Sequence, residues 1–158
     1  WLKLIKDKCY NIHMKRTRLK VVGDNDTAAK KREIQRLVRE IVILRDGSCI
    51  LRGLRFCGGD ADAEVVLQAD HLITRANSAT FADTRLIVCV CKGCHAWKNW
   101  NKEAYDKLVK TVLDKKTIQL WDKCEEERYS HKTWKPDWSL ALVLLEKELA
   151  QYENKKKK

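Results

Sequence analysis

Asp70 and His71 stand side by side, and further along the chain reads Cys91-Lys92-Gly93-Cys94-His95. A carboxylate beside an imidazole can hold a cation or move a proton. A Cys-x-x-Cys turn points two sulfurs at one tetrahedral Zn²⁺ and supplies half of a zinc site. The other half is expected from Cys49 and Cys57, which lie in the turn-rich segment RDGSCILRGLRFCGG. Four thiolates leave no open position on zinc, so such a metal would be structural. Cys89 is two residues before Cys91 and in a strand would point to the same face, which makes it the substitute ligand, although it reads as a core residue. Cys9 and Cys124 have no partner in spacing and read as ordinary thiols.

These groups need elements to position them. Thr27 is expected to cap a helix over 28–45, with Ile34, Leu37, Val38, Ile41 and Leu44 on one face and Asp46-Gly47 ending it. That stripe reads as core packing. Val65-Val66-Leu67 is expected to form a short strand that delivers Asp70 and His71. The polar stretch 74–82 reads as a loop, and Leu86 to Val90 as a β-branched strand pairing back with the first. A helix is expected from the Cys91–Cys94 turn through about Trp100. Further helices are expected over 103–113, over 117–129 and from Asp137 onward, the last with Leu142, Leu145 and Leu149 as its core face. Residues 1–26 read as an N-terminal arm made basic by Lys15, Arg16, Arg18 and Lys20, residues 27–153 as one domain, and residues 154–158 as a Lys tail.

The pattern Cys-x₇-Cys, then Asp-His, then Cys-x-x-Cys-His resembles the zinc-stapled branch of the HNH (ββα-metal) endonucleases. The stretches HLITR, ATFAD and CKGCHAWK further resemble phage recombination and DNA-processing nucleases of the NinG type. The resemblance spans residues 45–122. It implies an α+β chain with a small ββα-metal core over about 65–100, flanked by an N-terminal helix and about three C-terminal helices. It implies His71 as general base, and Asp70 and His95 as ligands of one catalytic divalent ion. A carboxylate with an imidazole suits Mg²⁺, Mn²⁺, Ni²⁺ or Zn²⁺ alike. Asn99, one turn beyond His95, could reach the same ion. The family's usual Asn between the two His motifs is missing, and Thr84 or Arg85 stands about where it belongs. Arg75 and Arg85 each offer a planar fork for phosphate. Trp97 and Trp100 could stack on bases or pack in the core.

Composition narrows the partner. The formal net charge is +11 and the pI about 9.4, which favours a polyanion, with DNA the first candidate. Seven Cys, an odd number, argue for metal binding in a reducing compartment over a disulfide framework. No apolar run approaches a membrane span of about 18 residues, and no targeting signal is read at residues 1–13. The expected setting is the cytoplasm of a phage-infected bacterial cell. The expected activity is metal-dependent endonucleolytic hydrolysis of DNA. The competing class is a non-catalytic zinc-stabilised DNA-binding module, and an RNA-directed nuclease is a third. Oligomeric state is not legible.

Overall fold

The structure, a computed structural model, describes residues 24–53, 57, 66–76, 78–127 and 136–156. The basic residues at 15–20, residues 58–60, Val65 and the last two lysines lie outside them. Helix α1 spans Asp24–Asp46 and buries Ile34, Leu37, Val38 and Ile41, as their spacing requires. It begins three residues before the expected cap at Thr27. Asp26 pairs with Lys30 one turn on at 2.6 Å, which supports a start ahead of Thr27. Gly47, with φ +69°, closes α1 by donating its N–H to Ile43 O at 2.9 Å.

Strands β1 (Leu67–His71) and β2 (Ile87–Cys91) pair antiparallel, with Asp70 opposite Val88 and His71 opposite Ile87. Both start one or two residues later than expected. Before β2, Asp83 caps a 3₁₀ turn over Thr84–Leu86 by accepting the Arg85 N–H, and that turn absorbs Leu86. Four further helices follow: α2 (Lys92–Trp100), α3 (Lys102–Val112), α4 (Lys115–Glu127) and α5 (Trp138–Lys156). Asp137 caps α5 through the N–H groups of Ser139 and Leu140, both at 3.0 Å. Five helices with one two-stranded antiparallel sheet make the described chain α+β, as the sequence indicates. Among the described residues no helix is long and apolar enough to cross a membrane.

The hairpin lies between two apolar layers. Ile87 and Cys89 face Ile34, Leu37, Ile41 and Val42 of α1, Leu145 of α5 and Phe81. Val88 and Val90 face Leu51, Leu72, Leu86, Tyr105 and Val109 of α3, and Trp121 and Cys124 of α4. All five residues of β2 are buried, which is why that strand reads as a continuous apolar run instead of alternating.

The two edges of the hairpin are treated differently. Lys92 N–H donates to Val66 O at 3.1 Å and Leu72 N–H to Leu86 O at 2.9 Å, so the even-numbered residues of β1 bond inward to β2. The odd-numbered residues of both strands turn their backbone groups outward. On the β2 side these groups are taken up by the end of α1. Arg45 donates to Thr84 O (2.7 Å) and Ile87 O (2.8 Å), and Asp46 accepts the Cys89 N–H (2.8 Å). Ile50 N–H then donates to Cys89 O at 2.9 Å. On the β1 side, Arg39 donates to Leu67 O at 3.3 Å and Lys98 to His71 O at 2.6 Å, and the edge opens into a cleft.

The α1 layer carries a direct stability prediction. Ile41 is fully buried, so Ile41→Ala should cost about 2–5 kcal/mol. Denaturant unfolding of the metal-loaded protein measures this, and a loss well under about 1 kcal/mol would contradict the packing described.

Candidate functional site

The sulfurs of Cys49, Cys57, Cys91 and Cys94 all lie within 4.8 Å of one another. Cys49 and Cys57 follow α1, whereas Cys91 ends β2 and Cys94 sits in the first turn of α2. A tetrahedron with Zn–S bonds of about 2.3 Å has edges of about 3.8 Å. The Cys57 Sγ–Cys91 Sγ separation of 3.9 Å matches that edge. The chemistry of four sulfurs also suits zinc, so the cluster could hold a metal ion and fits a closed zinc site. Cys91 Sγ accepts the Cys94 N–H at 3.4 Å, so the same thiol caps α2. Burial pushes the Cys49 thiol up to about 11 and Cys94 higher still. Burial acts on Cys91 too, but hydrogen bonds from Cys94, Cys57 and Cys49 outweigh it and hold that thiol below its usual value. Binding a metal as thiolates therefore releases protons.

Cys89 is fully buried and stands outside the cluster. The expectation that it shares a face with Cys91 fails for a local reason. Cys91 is where β2 turns into α2, and its side chain joins the Val88 and Val90 layer while Cys89 joins α1. Cys124 is likewise a core residue, and Cys9 lies outside the described residues.

Along the free edge of β1 runs a cleft of about 810 Å³ between α1 and α2. It brings together Asp70, His71, Arg75, His95 and Asn99, five of the residues singled out in the sequence. Arg39 and Lys102 also line it, as does Lys98, so the cleft holds four basic side chains and one carboxylate. Strand alternation separates the Asp-His pair. Asp70, paired with Val88, faces α2 and α3 and is 3% exposed. Lys98 Nζ donates to both of its oxygens, at 2.8 Å to Oδ1 and 3.0 Å to Oδ2. Tyr105 Oη donates to Oδ2 at 2.6 Å, and His95 Nε2 stands 3.4 Å from Oδ1. Burial, then the Asp70 charge beside it, raise the Tyr105 phenol, so it stays protonated and donating.

His71 faces the other layer. Its Nε2 lies 3.2 Å from Phe81 O, and its ring centroid lies 6.0 Å from that of Phe81. A carbonyl only accepts, so Nε2 carries the proton and Nδ1 is left as the basic nitrogen. Burial lowers the His71 pKa, aided by the Arg75 charge, and the neutral ring is the form present near pH 7.

Arg85 is not part of this gathering. It points away into Asp83, with Nη2 2.7 Å from Oδ2, and does not line the cleft. Thr84, the other occupant of the missing Asn position, is buried and donates its hydroxyl to Glu148 Oε1 of α5 at 2.9 Å. Of the two tryptophans, Trp97 packs edge-on against Tyr105 at 6.0 Å, whereas Trp100 is 85% exposed. Sequence reasoning missed Lys98, Tyr105 and Arg39. Lys98 had a readable signal, because it is three residues past His95 and so shares its helix face. A second concavity, between α3 and α4, is crossed by the Lys110–Asp122 ion pair and lined by the Lys102–Asp106 pair within α3. The chain matches no family model, no curated protein and no solved structure.

The cysteine cluster predicts one tightly held Zn²⁺ per chain. Cys91→Ser should lose the metal and unfold the hairpin and α2, since structural zinc contributes on the order of 10 kcal/mol or more of folding free energy. Metal analysis and melting curves check this. A metal-free protein that melts like the parent would contradict it.

Proposed function

We propose that this chain is a metal-dependent endonuclease that hydrolyses DNA phosphodiester bonds in the HNH manner, in phage DNA recombination or processing within the bacterial cytoplasm. The observation that carries the reading is the convergence of Asp70, His71 and His95 on one cleft walled by Arg39, Arg75, Lys98 and Lys102. Both members of the Asp-His pair reach the same opening from opposite faces of one strand.

In this reading the four cysteines hold a structural Zn²⁺, and Asp70 with His95 hold a catalytic divalent ion. The 3.4 Å separation between Asp70 Oδ1 and His95 Nε2 suits two neighbouring ligands of one ion. When bound, that ion supplies charge stabilisation at the scissile phosphate and the leaving 3′-oxygen. His71 takes a proton from water at Nδ1, because Nε2–H is committed to the Phe81 carbonyl. That carbonyl fixes the tautomer and the ring plane together. Water adds to phosphorus as the bond to the 3′-oxygen breaks, and the proton lost by water resides on His71. Arg75 and Lys102 bind flanking phosphates, and Arg39 extends the basic wall along α1.

A second reading has one specific observation in its favour. Asp70 is already satisfied by Lys98 and Tyr105, as a structural carboxylate in a non-catalytic zinc-stabilised DNA-binding module would be.

The two readings part on His71. With zinc-loaded protein and plasmid DNA, Mg²⁺ or Mn²⁺ should be required for nicking. His71→Ala should keep the fold, the zinc and DNA binding while losing about 10²–10⁴-fold in cleavage rate. Arg85→Ala should cleave close to the parent rate, because Asp83 holds that side chain outside the cleft. If His71→Ala nicks as well as the parent, the binding module is the better account.

Binding itself should be electrostatic. With a net charge of +11 and several cleft cations, affinity for duplex DNA should fall steeply between low and physiological salt, with little dependence on sequence. Flat affinity across that range, read by fluorescence anisotropy, would defeat this account.

A further inference from the structure

We infer that Lys98 is an exchangeable cation at the Asp70 carboxylate, which a divalent ion must displace, so that Lys98 sets the metal affinity of the site by competition. The inference rests on the reading of Asp70 and His95 as metal ligands, and it concerns what stands in their way.

A carboxylate offers about four lone-pair directions. On Asp70, Oδ2 is taken by Tyr105 Oη at 2.6 Å and by Lys98 Nζ at 3.0 Å. Oδ1 is taken by Lys98 Nζ at 2.8 Å, and the remaining space at Oδ1 faces His95 Nε2. An ion bridging Oδ1 and His95 Nε2 would therefore share Oδ1 with an ammonium already in contact with it. The Lys98 side chain is only 14% exposed and Asp70 only 3%, so water screens this repulsion weakly. A monocation and a dication on one buried carboxylate repel each other at close range.

Lys98 is built to leave. Its charge sits on a flexible four-carbon stem, and the cleft it lines is open to solvent. Tyr105 stays behind as a neutral donor and keeps Oδ2 oriented when the ammonium moves. Lys98 also donates to His71 O at 2.6 Å, so its departure frees the backbone of the residue that holds the base. A phosphate in the cleft would give the released ammonium a new partner. The same charge then serves as a counter-ion for Asp70 in the empty cleft and as a phosphate contact in the filled one.

The experiment titrates Mn²⁺ into zinc-loaded protein, with free Mn²⁺ read by electron paramagnetic resonance. The parent, Lys98→Met, Asp70→Asn and the double variant are compared. Lys98→Met should bind one Mn²⁺ on the order of tenfold or more tighter than the parent, and adding Asp70→Asn should abolish the gain. Melting temperature gives a second readout for a marginally stable variant: Mn²⁺ should raise that of Lys98→Met more than that of the parent. If parent and Lys98→Met share one Asp70-dependent affinity and one Mn²⁺-induced shift in melting, the competition is wrong and the nuclease reading stands. If none of the proteins shows Asp70-dependent Mn²⁺ binding, both the competition and the assignment of Asp70 as a metal ligand fall.

Discussion

A two-stranded hairpin is marginally stable in water at best, and this fold is built on one. The constraint is met by burying β2 completely, with α1 and α5 on one face and α3 and α4 on the other. Burial on both faces moves the difficulty to the edges, where backbone groups still need partners. The end of α1 and the turn after it take care of the β2 edge: Arg45, Asp46 and Ile50 bond the outward groups of Ile87 and Cys89. The β1 edge is left to long cationic side chains, Arg39 and Lys98. Basic side chains on an exposed edge also discourage pairing with another chain. The cleft is thus the face the fold left uncovered, and its positive lining follows from how that edge is protected.

The same hairpin sorts the chemistry. Alternation along β1 sends Asp70 into the α2–α3 layer and His71 toward Phe81. One environment is a charged network among Lys98, Tyr105 and His95. The other is an aromatic wall with a single carbonyl acceptor. Two neighbours in sequence thereby acquire opposite electrostatic settings, a carboxylate held by an ammonium and a phenol and an imidazole held neutral by burial. The cysteine cluster acts at the other end of β2. It brings the segment after α1 to the point where strand becomes helix, beside the start of the helix that carries His95 and Lys98.

Much of this was legible in the sequence. The apolar period of α1, the β-branched run of β2 and the Asp137 cap each state a local preference that the packing respects. The four cysteines were legible because metal geometry restricts spacing. The remainder depended on tertiary placement. Nothing local announces that Arg45 and Asp46 bond the backbone of β2, or that Tyr105 sends its hydroxyl to Asp70 while its ring packs. Arg85 and Lys98 show the limit most clearly. Both are basic residues near the expected site, yet one is drawn off by Asp83, two residues before it, and the other reaches the buried carboxylate. Cys89 was misplaced on the Cys91 face because regular alternation was assumed past the point where the strand ends. Register at an element boundary is where a period stops being informative.

The pairing of α1 with α5 has a consequence for how the chain is made. The apolar face of α1 is synthesised early, and the helix that covers it comes last among the described elements, after the hairpin and three other helices. While translation proceeds, Ile34, Leu37 and Ile41 have the hairpin as a partner but lack Leu145. Domains complete their folding only when their most distant contacts can close, and chains with uncovered apolar surface are vulnerable to association in that interval. Alternating Lys, Arg and Glu along the outer side of α1, several already paired within the helix, keep that waiting segment hydrated on one side. The order in which the ribosome delivers these helices therefore makes α5 a lock on α1.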